Sequence, residues 1–288
     1  MAGVAQLRFT VEGGREVSAL LMRPVQARHL LVLAHGAGAG MSHSFMEKLA
    51  DELASVGVAT FRYQFPYMEE RRRVPDTPAV LTATVVAAVR TSAEAAPGLP
   101  LLAGGKSMGG RMTSHAAAQH PLDGVRGLVF FGFPLHPPNR PGTKRADHLA
   151  KVSVPMLFMQ GTRDALADLK LLRPVCAKLG SRATLHIFEK ADHSFHVLKS
   201  SGRSDAEVLR ELAETAASWA EAIDETKSKL AQNPTGARVR SSGKTCASQV
   251  PPQLAPPRTL PFLPTRAKLR WHSFLCSSAH ETNDRPFR

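Results

Sequence analysis

The segment Gly105-Lys106-Ser107-Met108-Gly109 joins a continuous apolar run, residues 99–103, to a stretch with helical spacing, residues 108–120. A chain that leaves a buried strand and enters a helix within so few residues must turn sharply, and the residue at the apex is held in a strained backbone conformation. Gly105 and Gly109 flank that apex, and the pattern predicts that they pack against each other where side chains would not fit. Such a turn needs a sheet to leave and a sheet for its helix to pack back upon, so a chain carrying it is expected to be α/β. It also exposes the Ser107 hydroxyl, while the Met108 N–H points from the start of a helix to where negative charge could be held.

Gly105-Lys106-Ser107 also fits the end of a phosphate-binding loop. That loop needs another glycine five positions before Gly105, where this chain has Pro100, which lacks an N–H to cradle phosphate; Gly98 is out of register. The nucleotide-binding reading is set aside, and Ser107 is read as a nucleophile.

The surrounding pattern supplies the sheet. Residues 7–11 and 17–22, separated by Gly13-Gly14, predict a hairpin, and residues 29–34 form a continuous apolar run of the kind buried on both faces. Helical spacing over residues 45–56 ends at Gly57. A strand over 58–65, a helix over 78–96 and the strand over 99–103 lead into the turn. After it come a strand over 127–133, a loop over 134–145, a strand over 155–160, a helix over 166–179, a strand over 183–188 and a long amphipathic helix from Asp205 to about Leu230. The expected architecture is a mostly parallel central sheet with an N-terminal antiparallel hairpin and helices on both faces, spanning residues 1–230. Beyond it, residues 231–288 are rich in Pro, Ser and basic residues without apolar periodicity, and read as a disordered tail.

A serine hydroxyl is a weak nucleophile near neutrality; it needs a base, and the base needs an orienting acid. Asp164 follows the strand over 155–160 and His193 follows the strand over 183–188, each on a post-strand loop where α/β sheets place functional residues. His196 is a second candidate base and Asp192 a second candidate acid, although its adjacency to His193 makes the geometry awkward. The second oxyanion donor is expected in His35-Gly36-Ala37-Gly38-Ala39-Gly40-Met41, with Ala37 N–H beside that of Met108 and Gly38 as the alternative. His35, closing a buried strand, reads as a brace for this loop. Residues 61–73 and 134–145 are expected to open near Ser107 and to shape the pocket, with Arg62, Arg71 or Arg145 available to an anionic group.

The segments His35–Met41, Gly105-Lys-Ser-Met-Gly-Gly110, Phe131-Gly-Phe-Pro-Leu-His136 and Ala191-Asp-His-Ser-Phe195 resemble the α/β-hydrolase superfamily over residues 7–230. More narrowly, the chain is similar to the dienelactone-hydrolase-like branch and to bacterial relatives of the testis-expressed and NSL-complex hydrolase-like proteins. The resemblance implies a serine hydrolase that needs no cofactor, with Ser107, Asp164 and His193 as its triad. Dienelactone hydrolases carry cysteine at the nucleophile where this chain has Ser107, so the lactone substrate is not implied, and the basic tail has no counterpart in the family. The expected substrate is a small carboxylic ester or thioester. A hydrolase-fold binding or scaffold protein is the alternative.

The formal charge of +13 would suggest a nucleic-acid partner if it were spread over the fold. From Lys227 onward, however, eleven basic residues face only Glu281 and Asp284, so this segment carries nine of the thirteen surplus charges. No specific nucleic-acid partner is therefore expected, only weak, salt-sensitive adhesion of the tail to polyanions. Cys176, Cys246 and Cys276 form neither a disulfide framework nor a zinc spacing, so no metal is expected. Without a signal-like start or a membrane-length apolar window, the expected location is cytoplasmic and no membrane partner is expected.

Overall fold

Apolar residues in the central runs of this chain fill both faces of an extended backbone, and one consequence is a sheet with a separate core on each side. The computed structural model describes residues 3–232. Eight strands, β1 (Val4–Thr10), β2 (Glu16–Met22), β3 (His29–Ala34), β4 (Val58–Tyr63), β5 (Leu101–Lys106), β6 (Val125–Phe131), β7 (Met156–Gly161) and β8 (Ala183–Phe188), form one sheet in the order β1-β2-β4-β3-β5-β6-β7-β8. β1 pairs antiparallel with β2 and β2 antiparallel with β4, while every pairing from β4 to β8 is parallel. The expected mostly parallel sheet with its N-terminal hairpin is what the chain forms.

Six helices cover the sheet: α1 (Ser44–Ser55), α2 (Pro66–Glu69), α3 (Pro78–Ala95), α4 (Met108–Gln119), α5 (Leu169–Leu179) and α6 (Asp205–Gln232). Because successive side chains of a strand point to opposite faces, each run splits between two cores. Leu30, Val32, Leu128, Phe130, Met156 and Phe158 join the core that includes α4 residues Met108 and Met112 and α5 residue Leu172. Leu31, Leu33, Val129, Phe131, Leu157 and Met159 face the other way, into the core closed by Met46 and Leu49 of α1 and Val208 and Leu212 of α6.

The differences from expectation have local causes. β5 starts at Leu101 because Pro100 has no N–H; its carbonyl still accepts from Leu30 N at 2.9 Å. β6 ends at Phe131, ahead of Gly132 at φ 72°. α5 starts at Leu169 because Asp168 caps it, its carboxylate accepting from Lys170 N at 2.8 Å. The loop expected over residues 134–145 continues into a 3-10 turn, Lys144–Lys151. Short α2 was not expected. The expected tail lies outside the described residues from position 233 onward.

Gly105 and Gly109 do not have each other as nearest obstacle, which corrects the expectation above. A Cβ on Gly105 would stand 2.4 Å from Ala34 O, and one on Gly109 would stand 2.5 Å from His35 O. Both glycines are needed because the turn after β5 lies against the end of β3. Gly104 is under the same constraint on its other side, with Val129 O of β6 only 1.9 Å from where a Cβ would be.

Gly104→Ala is therefore expected to force β5 and β6 apart and to lower stability by about 3 kcal/mol or more. Gly98, at φ 84° with nothing within 4 Å of an added Cβ, serves as the control, and Gly98→Ala should cost about 1 kcal/mol. Urea midpoints of the two variants give the comparison; equal losses would mean that β5 and β6 yield easily.

Candidate active site

The turn between β5 and α4 places Ser107 at φ 51° and ψ −118°, outside the regions an L-residue ordinarily occupies. It is held there by the backbone at both ends: Ser107 N donates to Phe131 O at 3.2 Å, and Ser107 O accepts from Arg111 N at 3.1 Å. The side chain thus stands at the carboxyl ends of the parallel strands.

Three of the sequence-selected residues meet here in one hydrogen-bonded chain. His193 Nε2 lies 2.8 Å from Ser107 Oγ, and His193 Nδ1 lies 2.7 Å from Asp164 Oδ2. The Asp164 side chain is fully buried, and its other oxygen accepts from Leu166 N at 2.7 Å. Gln160, on β7, also donates to Asp164 Oδ2 through its side-chain nitrogen. A carboxylate so surrounded is fixed in orientation, and it fixes the imidazole with Nδ1–H toward itself and Nε2 free to accept from serine.

The competing residues are occupied elsewhere. His196 Nδ1 pairs with Asp205 Oδ2 at 2.7 Å on the protein surface. Asp192 Oδ1 accepts from Ser194 N at 2.8 Å and His196 N at 3.0 Å, shaping the turn that carries His193. Phe195 anchors the same turn: it is buried, with its ring 5.4 Å from Phe188 and 6.1 Å from Phe45.

The loop after β3 runs alongside Ser107, an added Cβ on Gly36 being 3.7 Å from Ser107 Cβ. Gly38 N donates to the Tyr67 hydroxyl at 3.3 Å, whereas among the described residues the N–H groups of Ala37 and Met108 have no acceptor. His35 is fully buried and braces the loop, with Nδ1 2.8 Å from Gly36 O and Nε2 accepting from Phe65 N at 3.1 Å. Burial, opposed by its hydrogen bond to Gly36, lowers its pKa to about 4.

Lys106 escaped the sequence reading. Its side chain is buried beside the site, and Nζ donates to His193 O at 2.5 Å while lying 5.8 Å and 5.6 Å from the ring centres of Phe45 and Phe195. Burial lowers its pKa to about 8, against the pull of Asp164 and Asp192. The only sequence sign was its place next to the serine, because its partner is 87 residues away.

A cavity of about 550 Å³ opens beside Ser107 and His193. It is walled by His43, Phe45 and Lys48 at the start of α1, Leu166, Phe195, and Leu209 of α6. Residues 61–73 and 134–145, expected to shape the pocket, do not line it. Arg62 is buried and donates to Met41 O at 3.2 Å, so it ties the loop after β3 to β4, and Tyr67 turns inward to Gly38. Among the described residues no three His, Cys, Asp or Glu side chains converge as a metal site would require, and no helix is long and apolar enough to cross a membrane.

Residues 27–221 match the sequence profile of a family described as the alpha/beta hydrolase domain. Among solved structures, the dienelactone hydrolase of Anabaena variabilis superposes with a TM-score of 0.60 at 22% identity, over 76% of this chain and 96% of that one. An α/β serine hydrolase from Xanthomonas campestris, described as lacking a lid, gives 0.60 at 19% identity over 75% of this chain and 94% of its own. The esterase domain of a Rhodothermus marinus protein gives 0.57 at 17% identity, covering 76% and 98%. At these identities the likeness is one of fold.

The depressed pKa of His35 has a consequence for stability. Between the ordinary value of 6.5 and the folded value of about 4, the unfolded chain takes up a proton that the native one refuses, because burial strips the charged imidazole of water. The contribution is therefore complete above pH 6.5 and is lost on acidification, about 2 to 3 kcal/mol between pH 7 and 4.5. Urea unfolding at those two pH values should show a steeper loss for the native sequence than for His35→Gln, whatever the absolute stability of the variant. Equal slopes would mean that His35 takes up its proton in the fold at the same pH as in the unfolded chain.

Proposed function

The chain belongs to the alpha/beta hydrolase domain family, and from that premise we propose that it is a serine hydrolase acting on a small carboxylic ester or thioester through an acyl-enzyme. The observation that carries the reading is the unbroken Ser107–His193–Asp164 hydrogen-bond chain at the apex of a strained turn. A module that only binds has no physical need for a serine held at φ 51°.

In the proposed mechanism Ser107 Oγ attacks the substrate carbonyl carbon as His193 Nε2 takes its proton. The oxyanion is held by the N–H groups of Met108, at the start of α4, and Ala37. On collapse, His193 returns the proton to the leaving alcohol or thiol, leaving an acyl group on Ser107. Water then gives a proton to His193 as it attacks the acyl carbon, and on collapse His193 passes that proton to Ser107 Oγ, releasing the carboxylic acid and restoring the free serine. Asp164 holds the imidazole tautomer and balances its charge during both transfers. Lys106, through the His193 carbonyl, holds the loop that presents the imidazole, and is a positioning residue in this scheme. The cavity, with Phe45, Leu166, Phe195 and Leu209 in its wall, suits a compact, partly apolar acyl or alcohol group.

A fluorophosphonate probe should label the native protein and fail to label a folded Ser107→Ala variant, whose turnover of p-nitrophenyl acetate should fall by about three orders of magnitude or more. A native protein that refuses the probe would favour the binding or scaffold alternative.

Asp164→Asn should slow ester turnover far more than Asp192→Asn, since only the first faces His193 Nδ1. Rates of the two variants with the same ester decide it, and the reverse ranking would move the acid to Asp192.

A further inference from the structure

A second cluster stands where α4 packs on the 3-10 turn Lys144–Lys151. Arg111 and His115 are four residues apart and share one face of α4; Arg145 and His148 are three apart and share one face of the turn. The two faces meet. His115 and His148 stack with ring centres 3.6 Å apart and planes 15° from parallel, and Ser114 Oγ lies 2.8 Å from His148 Nε2. Burial and, after it, the charge of Arg145 lower the pKa of the Arg111 guanidinium.

This arrangement has donors and positive charge but lacks an acid. Among the described residues, neither arginine has an ion pair or a hydrogen bond from its side chain, and Arg111 Nε is buried without a partner. Asp147, the acidic residue of the turn, is exposed and pairs with neither. Elsewhere Arg126 pairs with Asp224 at 2.8 Å and Arg203 with Glu211, and buried Arg62, whose Nε also lacks a partner, donates through its terminal nitrogen to Met41 O. A partly buried guanidinium without a counter-charge, on a face that carries a second arginine, destabilises a fold, because neither burial nor repulsion is offset. Burial and the Arg111 charge lower the pKa of His115, and burial with the charges of His115 and Arg111 lowers that of His148 to about 3. The missing component is an anion with several acceptor oxygens, which planar guanidinium forks bind in bidentate fashion.

We propose that Arg111, His115, Arg145 and His148 form a binding site for a phosphate group, free or carried by a phosphomonoester. None of the four lines the cavity beside Ser107, so the site is separate from that cavity and does not depend on the reading of the catalytic residues. It is joined to the nucleophile by the backbone: Arg111 N donates to Ser107 O, so an occupant holds the first turn of the nucleophile helix.

The test uses the full chain, so that its basic tail is the same in every sample. Adding 50 mM inorganic phosphate, against sodium chloride of equal ionic strength, should raise the melting temperature of the native protein by about 3 °C. The rise should be largely lost in Arg111→Gln and in Arg145→Gln. Without phosphate, Arg145→Gln should melt no lower than the native protein, because it removes one of two repelling charges. In parallel, the ring-proton resonances of His115 and His148 in the native protein should move with inorganic phosphate and with phenyl phosphate, and should stay in place with succinate. Equal stabilisation of all three proteins, a marked drop in the melting temperature of Arg145→Gln without phosphate, or histidine signals indifferent to phosphate would overturn the proposal. A response to succinate equal to that with phosphate would overturn the assignment to phosphate.

Discussion

The close approach of two backbones is the constraint on which the rest of this structure depends. Where β5 turns into α4, the chain lies against the end of β3 so tightly that neither Gly105 nor Gly109 has room for a Cβ. The contact sets Ser107, at the start of α4, beside the loop that begins at Gly36. A larger gap would leave Ser107 on an ordinary turn, without a loop facing it. The strain at Ser107 is tolerable because backbone hydrogen bonds to Phe131 and Arg111 fix both sides of it.

Around this contact the charges are few and placed with care. One buried carboxylate, Asp164, and one buried ammonium, Lys106, lie on either side of His193, and each is hydrogen-bonded, so neither charge is left bare in the interior. His35, equally buried, stays neutral and acts through direction alone: one ring nitrogen takes the Phe65 N–H and the other meets the Gly36 carbonyl. The loop behind the serine is therefore stiffened without adding a charge that would compete with the imidazole of His193.

Much of this was legible in the chain because it rests on local order. Continuous apolar runs announced strands buried on both faces, and the glycine-flanked serine announced the turn. Ser107, Asp164 and His193 could be picked out because each follows a strand and the strands are parallel, so their loops must gather at one rim. What could not be read was set by contacts between distant residues. Lys106 looked like filler within a motif until its partner, far along the chain, came beside it. The arginine-rich segment around residue 71 looked like a pocket wall, but Tyr67 and Arg62 turn inward to Gly38 and Met41 and leave the walls to α1 and α6. The glycines were correctly read as space-limited, yet their neighbour proved to be β3, which pattern alone does not name.

The division of the sheet into two cores bears on how such a protein could change. Ser107 is carried by β5 and α4, and α4 packs into one core, whereas the cavity wall is built by α1, α6 and Phe195, which pack into the other. β5 borders both, its Leu102 lying in the core closed by α1 and α6. A substitution in the α1–α6 layer can widen, narrow or re-line the cavity while the turn, with its tight backbone contacts, stays as it is. On the proposed reading, substitutions in that layer away from Phe45 and Phe195, which also hold the His193 turn, alter selectivity while the turn that sets reactivity is kept.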